Sequence, residues 1–280
     1  MHTVKITPRR IQLLTLLLLP IFISLKAYPQ NISLPNAYAH NDYWHKRPLY
    51  DALDNGFTHI EADIYLRDGQ LVVAHLLPRL RMQKTLDSLY LKPLASCING
   101  SNREFTCPDY PVMLMIDIKS AAGSTYIALR QLLEKYRPLL SSCKDGVFKQ
   151  GKITIVLTGH KPVELLRKET DRIAFVDEDL MQVQKDTINQ NFYETASCRY
   201  SRMLDWIGEG PIPLKQHEHL CEFVRAAHHL GKKVRLWASP ENKAVWNELL
   251  NCGVDLINTD QLDNLKNFLL YDVKVYAKVN

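Results

Sequence analysis

Residues 112–119 read Val112-Met113-Leu114-Met115-Ile116-Asp117-Ile118-Lys119, a near-continuous apolar run announced by Pro111 and interrupted only by Asp117 before Lys119 closes it. A run of this kind matches a parallel strand covered on both faces. In a strand, side chains two apart share a face. Asp117 and Lys119 therefore point the same way, into the fold rather than toward its covering helices. Charges on such a strand need partners. The pattern admits either a metal-ligating Asp117 beside a phosphate-facing Lys119 or an internal Asp–Lys pair with no other task.

Working outward toward the amino terminus, a strand at 36–39 delivers His40 and Asn41 to its end. A second strand, 58–66, carries Glu61 and Asp63 on one face. The turn Arg67-Asp68-Gly69-Gln70 leads through 71–74 to His75. Two histidines bracketing a carboxylate pair suit acid–base chemistry on a substrate held by a divalent cation. The oxygen set Asn41, Glu61, Asp63 and Asp117 suits Ca2+ or Mg2+ better than zinc.

The same alternation continues to the carboxyl end. Helices are expected at 49–55, 85–94, 124–140, 162–169, 213–230 and 242–251, and strands at 153–157, 172–176, 200–206, 233–238 and 254–258. The stretch 185–197 yields no assignment. About eight strands with helices between most of them indicate α/β architecture: a TIM-like (β/α)8 barrel in one domain over 28–280. In that fold the active site lies at the carboxyl ends of the strands. His40, Asn41, Glu61, Asp63, His75, Asp117, Lys119, His160, Trp237, Asn258 and Asp260 all stand at such ends, so residues far apart in the chain converge on one mouth. His160 and Trp237 are expected to contact substrate. Arg235 shares the face of Trp237 on a regular strand without being assigned a role. Asn258 and Asp260 read as supporting residues, and Tyr43, Trp44 and His45 as pocket wall or rim. His217, His219, His228 and His229 read as helix-surface residues.

Composition adds boundaries. The chain has 35 basic and 30 acidic residues, but residues 1–27 hold Lys5, Arg9, Arg10 and Lys26 and no acid. The remaining 31 against 30 leaves no basic stripe for nucleic acid. A basic start followed by an apolar stretch at 11–25 is the layout of a secretory signal peptide, shorter than the roughly 20 residues a spanning helix needs. Residues 1–27 are therefore expected to direct export to a periplasmic or extracellular space, an uncleaved anchor being the alternative. None of the six cysteines forms a C-x-x-C pair, which gives no support to a zinc site of that type. Cys97 and Cys107 are placed to clip the loop between them in an oxidising compartment, whereas Cys221 and Cys252 read as small core residues.

The order His-Asn, Glu-x-Asp, His after a short hairpin, and Asp-x-Lys resembles the superfamily of phosphatidylinositol-specific phospholipases C and glycerophosphodiester phosphodiesterases. The likeness is best over 36–119 and extends to Arg235-Leu236-Trp237 and to Gly253–Asp260. It implies a TIM-like barrel and cation-dependent cleavage of a phosphodiester. His40 and His75 would be base and acid, with Lys119 on the phosphoryl group and Glu61, Asp63 and Asp117 on one Ca2+ or Mg2+. Asn41 matches the metal-binding Asn of the Ca2+-dependent phospholipases C, where the phosphodiesterases place Arg. The expected substrates are phospholipid head groups or soluble glycerophosphodiesters, with peripheral membrane contact. A phospholipase-D-like reaction of the sphingomyelinase type is the alternative on the same scaffold. A catalytically silent binding barrel and a glycoside hydrolase using paired carboxylates are the rivals from other classes.

Overall fold

A computed structural model describes residues 32–76, 84–102, 104–109, 111–185 and 191–273. The segment 1–27, read as an export signal, lies outside the described residues.

Eight parallel strands form the barrel: β1 (Leu34–Ala39), β2 (Phe57–Arg67), β3 (Val112–Ile118), β4 (Ile153–Gly159), β5 (Phe175–Asp179), β6 (Tyr193–Arg199), β7 (Lys233–Trp237) and β8 (Leu256–Thr259). Each pairs with its sequence neighbour, and β1 pairs with both β2 and β8, which closes the sheet. Around it lie α1 (Tyr50–Asp54), α2 (Lys92–Ile98), α3 (Ala122–Glu134), α4 (Val163–Arg167), α5 (Leu214–His229), α6 (Lys243–Asn251) and α7 (Leu262–Asn267). The (β/α)8 reading of the sequence holds. Among the described residues no helix is long and apolar enough to cross a membrane.

Strand alternation sorts the core into two compartments. Ile60, Ala62 and Ile64 of β2, Leu114, Ile116 and Ile118 of β3, and Ile155 and Leu157 of β4 pack outward in the main core under the helices. Tyr38, Met113, Met115, Val156 and Leu256 form a separate apolar cluster inside the barrel. Asp117 belongs to the inward series of Met113 and Met115, as its spacing requires. In register, Asp63 on β2 faces Asp117 on β3, which in turn faces Thr158 on β4. β2 runs past the barrel rim and folds back through an antiparallel strand, Gln70–Val73, which returns the chain to His75.

Three sequence expectations need correcting. The strand expected at 200–206 is β6, Tyr193–Arg199, which begins inside the stretch that had no assignment and ends two residues past it, while Tyr200–Arg202 forms a 3-10 turn. Thr195 and Ser197 disguise this strand, because they face the barrel interior and donate hydrogen bonds to the buried Asp177 carboxylate. The strand expected at 172–176 is divided. Asp171–Arg172 joins a small antiparallel sheet with Ser142–Lys144 and Val147–Lys149, and the barrel strand begins at Phe175. Cys221 and Cys252 are not merely core residues but a disulfide joining α5 to the end of α6. The Cys97–Cys107 bridge is present as expected.

Candidate active site

Strand ends deliver nearly the whole predicted set to one cleft of about 320 Å3, lined by His40, Asn41, Glu61, Asp63, His75, Asp117, Lys119, Thr158, Gly159, Arg235 and Trp237. On its floor, carboxylate oxygens of Glu61, Asp63 and Asp117 lie within 4.8 Å of one another. Glu61 and Asp63 are buried. Lys119 extends over the cluster, its Nζ 2.6 Å from Asp117 Oδ2 and 3.2 Å from Asp63 Oδ2. The Asp–Lys pair exists, and it sits in the cleft.

The charges push on one another. Burial raises the Asp63 pKa, the Glu61 and Asp117 carboxylates raise it further, and Lys119 pulls it back only in part. Burial works against the charge on Lys119, yet the hydrogen bond to Asp117 and the charges of Asp117 and Asp63 outweigh it and raise the ammonium pKa. One carboxylate oxygen, Asp117 Oδ1, is buried with no hydrogen-bond partner. It rests against Gly159, whose φ of +69° suits glycine. A Cβ at that position would stand 2.0 Å from the Asp117 oxygen. Crowded carboxylates, one with an unpartnered oxygen held in a glycine cradle, are a donor set that fits a hard divalent cation.

The histidines stand on opposite sides of this floor. His40 Nδ1 is 2.7 Å from Asp260 Oδ1, and its Nε2 is 3.6 Å from Glu61 Oε2. Burial disfavours the charged ring, but the Asp260 hydrogen bond and the Glu61 charge prevail and raise the His40 pKa. Asp260 is itself held: its backbone N–H donates to Glu241 Oε1 (2.8 Å), while Thr259 Oγ1 donates to Glu241 Oε2 (2.6 Å). His75, brought back by the hairpin, has Nδ1 3.2 Å from Asp63 Oδ2. The Tyr43 hydroxyl sits between Asn41 Oδ1 (2.7 Å), Asp63 Oδ2 (2.9 Å) and His75 Nδ1 (3.1 Å). Burial, then the charge of Asp63, raises the Tyr43 pKa, so it remains a phenol. Asn41 adopts a left-handed backbone, φ 46°, at the turn after β1. The next residue, Asp42, anchors that turn by accepting from Leu49 N (2.6 Å) and the Tyr90 hydroxyl (2.9 Å).

His160 is not among the cleft-lining residues. The left-handed turn at Gly159 carries it past the rim, where its Nδ1 lies 3.1 Å from the Ser120 carbonyl oxygen. Trp237 does line the cleft, half-exposed, with the Arg199 guanidinium 5.8 Å from its ring centre. Arg235, left without a role by the sequence, is fully inside the barrel. Its Nη1 is 3.2 Å from Asn258 Oδ1 and 3.5 Å from Glu61 Oε1, the guanidinium stacks on Tyr38, and Nε is buried without a partner. Its two-residue spacing from Trp237 was the available signal. Tyr43 could be found only as a neighbour of the His-Asn pair, and Asp260 only as a strand-end acid.

Comparison with known proteins finds phosphodiesterase families. Residues 233–263, which carry Arg235, Trp237, Asn258 and Asp260, match the glycerophosphoryl diester phosphodiesterase family. The chain is 27% identical to "Altered inheritance of mitochondria protein 6" of Lachancea thermotolerans, covering 83% of this chain and 65% of that one. It is 26% identical to the protein of the same name from Eremothecium gossypii, with 84% and 69% covered. A homologue from Arthroderma benhamiae is also 26% identical, with 82% of each chain covered. This chain thus spans about two thirds of the length of the first two relatives. Residues 27–177, more than half of the chain and including every carboxylate of the cleft floor, match the AIM6-like phosphodiesterase domain, and the chain belongs to that family.

Proposed function

We propose that the protein is a divalent-cation-dependent phosphoric diester hydrolase acting on phospholipid head groups or glycerophosphodiesters, with His40 and His75 as the acid–base pair. One observation carries the reading. Two histidines, each held by a carboxylate, flank a carboxylate cluster that shares its cleft with the cations Lys119 and Arg235. Glu61, Asp63 and Asp117, with Asn41 beside them, would hold one Ca2+ or Mg2+. When bound, such an ion neutralises phosphate oxygens and lowers the pKa of a nearby hydroxyl.

The chain's own groups supply the rest. Asp260 orients the His40 imidazole through Nδ1, leaving Nε2 on the side of Glu61 and the cleft floor. Asp63 and Tyr43 hold His75 by its Nδ1. One ring takes a proton from the attacking hydroxyl or water, and the other returns one to the departing alkoxide. Lys119 and Arg235 place positive charge where the phosphoryl group gains negative charge. Trp237 offers an aromatic wall at the mouth.

We further propose that the mature protein works outside the cytoplasm, in the periplasm or beyond the cell. The basic and then apolar segment 1–27 and two disulfides among the described residues support this reading. The test is hydrolysis of bis-p-nitrophenyl phosphate and glycerophosphoinositol, with and without chelator. Activity should vanish with chelator and return with Ca2+ or Mg2+. His40→Ala and His75→Ala should each lose about 10²- to 10⁴-fold. Full activity in both variants would overturn the assignment.

A further inference from the structure

Away from the cleft, α5 and α6 face each other through a second group of ligating side chains. His217 and Cys221 are four apart on α5, and Glu248 and Cys252 are four apart across the last turn of α6. Residues at that spacing share one helix face. Cys221 Sγ lies 3.7 Å from His217 Nε2, and Cys252 Sγ lies 3.6 Å from His217 Nδ1. Glu248 Oε1 is hydrogen-bonded to His217 Nδ1. Ligand atoms of His217, Cys221 and Cys252 all fall within 4.8 Å of one another. Both sulfurs are buried, whereas the imidazole is 38% exposed, which gives the group access to solvent.

We propose that the Cys221–Cys252 disulfide is a reversible cap on a zinc-class metal site, formed by His217, Cys221 and Cys252 when the bridge is reduced. Four donors placed tetrahedrally around zinc at roughly 2.0–2.3 Å stand about 3.3–3.8 Å apart. The Cys221 Sγ to His217 Nε2 separation already falls in that range, whereas Cys252 Sγ, which lies against Nδ1, must turn toward Nε2 as the two sulfurs part. Glu248 takes the role usual for a carboxylate behind a metal-bound histidine. By holding Nδ1–H it directs Nε2 toward the metal, and the fourth position is left to water. Sulfur and imidazole donors favour zinc, in contrast to the all-oxygen floor of the active-site cleft. The reaction balances with a dithiol reductant: the bridge gains two electrons and two protons, the reductant becomes a disulfide, and metal binding releases the two thiol protons to solvent.

Co2+ reports on such a site, because thiolate ligation gives a charge-transfer absorption that carboxylates do not. The full chain, freed of metal with chelator, would be titrated with Co2+ in the oxidised state and after reduction by a phosphine, which is converted to its oxide while water supplies the oxygen. The band is expected only after reduction, displaced by one Zn2+ per chain. It should persist in a Cys97→Ser, Cys107→Ser double variant and disappear in Cys221→Ser. His217→Gln and Glu248→Gln should weaken zinc binding by about 10- to 100-fold, with circular dichroism checking that each variant is folded. A reduced wild-type protein without the band overturns the proposal and requires no variant. A band that survives Cys221→Ser, or undiminished affinity in folded His217→Gln, overturns it as well.

Discussion

Replacing Asp63 by Asn should make the chelated protein more stable while removing most of its response to metal. Asp63 lies within 4.8 Å of both Glu61 and Asp117. At an effective dielectric of about 20, each repulsion is at least about 3.5 kcal/mol. Lys119 Nζ, 3.2 Å from Asp63, returns about 5 kcal/mol of attraction on the same scale. The difference favours loss of the charge by about 2 kcal/mol, in the direction already given by the raised pKa of Asp63. An Asn side-chain oxygen can still face Tyr43 and His75, so the local hydrogen bonds need not be lost. For a domain of this size about 2 kcal/mol corresponds to a melting temperature about 4–8 °C higher. Thermal unfolding in chelator, followed by circular dichroism, measures it. Saturating Ca2+ or Mg2+ at about 100 times Kd should then stabilise the wild type by about 2.7 kcal/mol and the variant by much less. A folded Asp63→Asn protein that melts at or below the wild type in chelator would refute the premise that this cluster is held together against its own charge.

Gly159→Ala tests the cradle under Asp117. Its Cβ would meet Asp117 Oδ1 at 2.0 Å and the Ile118 carbonyl oxygen at 2.7 Å, on a backbone whose φ of +69° already disfavours alanine. Metal affinity and phosphodiesterase activity should fall together by at least about tenfold, a displaced second partner being sufficient for that; isothermal titration with Mg2+ or Ca2+ is the direct measurement, and unchanged affinity would count against Asp117 as a ligand. His59 sets an acid limit on stability. Burial, then the charge of Lys233, lowers its pKa to about 3 against a hydrogen bond to the Ala37 backbone. Below about pH 6.5 the unfolded chain therefore binds a proton that the native ring refuses, and stability falls progressively toward pH 3. The loss from this group is about 2 kcal/mol at pH 5. Urea titrations near pH 8 and pH 5 should show that His59→Gln loses less stability than wild type over the same interval.

Much of this was legible because parallel barrel strands are written in apolar residues, so each charge on them is conspicuous. Asp117 interrupts six inward- and outward-facing apolar residues of β3 and Lys119 follows them, and Glu61 and Asp63 stand out in the same way on β2. β6 was illegible for the opposite reason. Its inward residues, Thr195 and Ser197, are polar because they satisfy Asp177, and that partner becomes visible only once β5 and β6 are paired. Periodicity assumes that the strand continues, whereas Gly159 turns the chain at this point, and His160 stands outside the cleft lining. The Cys221–Cys252 bridge depends on how α5 lies against α6, a tertiary relation that spacing along either helix does not contain.

The barrel interior also dictates from which side chemistry can enter. Tyr38, Met113, Met115, Val156 and Leu256 fill it with apolar side chains, and the charged layer of Glu61, Asp63, Asp117, Lys119 and Arg235 lines the cleft at the strand ends. Charges in that layer cannot be relieved by water from inside the plug, so compensation must come from within the layer or from the mouth. Lys119 and Arg235 already provide two cations, yet Asp117 Oδ1 and Arg235 Nε remain buried and unpartnered. One calls for a cation and the other for an anion. On the function proposed above, a divalent ion at the carboxylates and a phosphodiester facing Lys119 and Arg235 would balance the charges of this layer, whereas a neutral sugar brings no charge to it. Of the chemistries weighed for this fold, phosphate ester cleavage is therefore the one whose charges match this layer, which supports the proposed function.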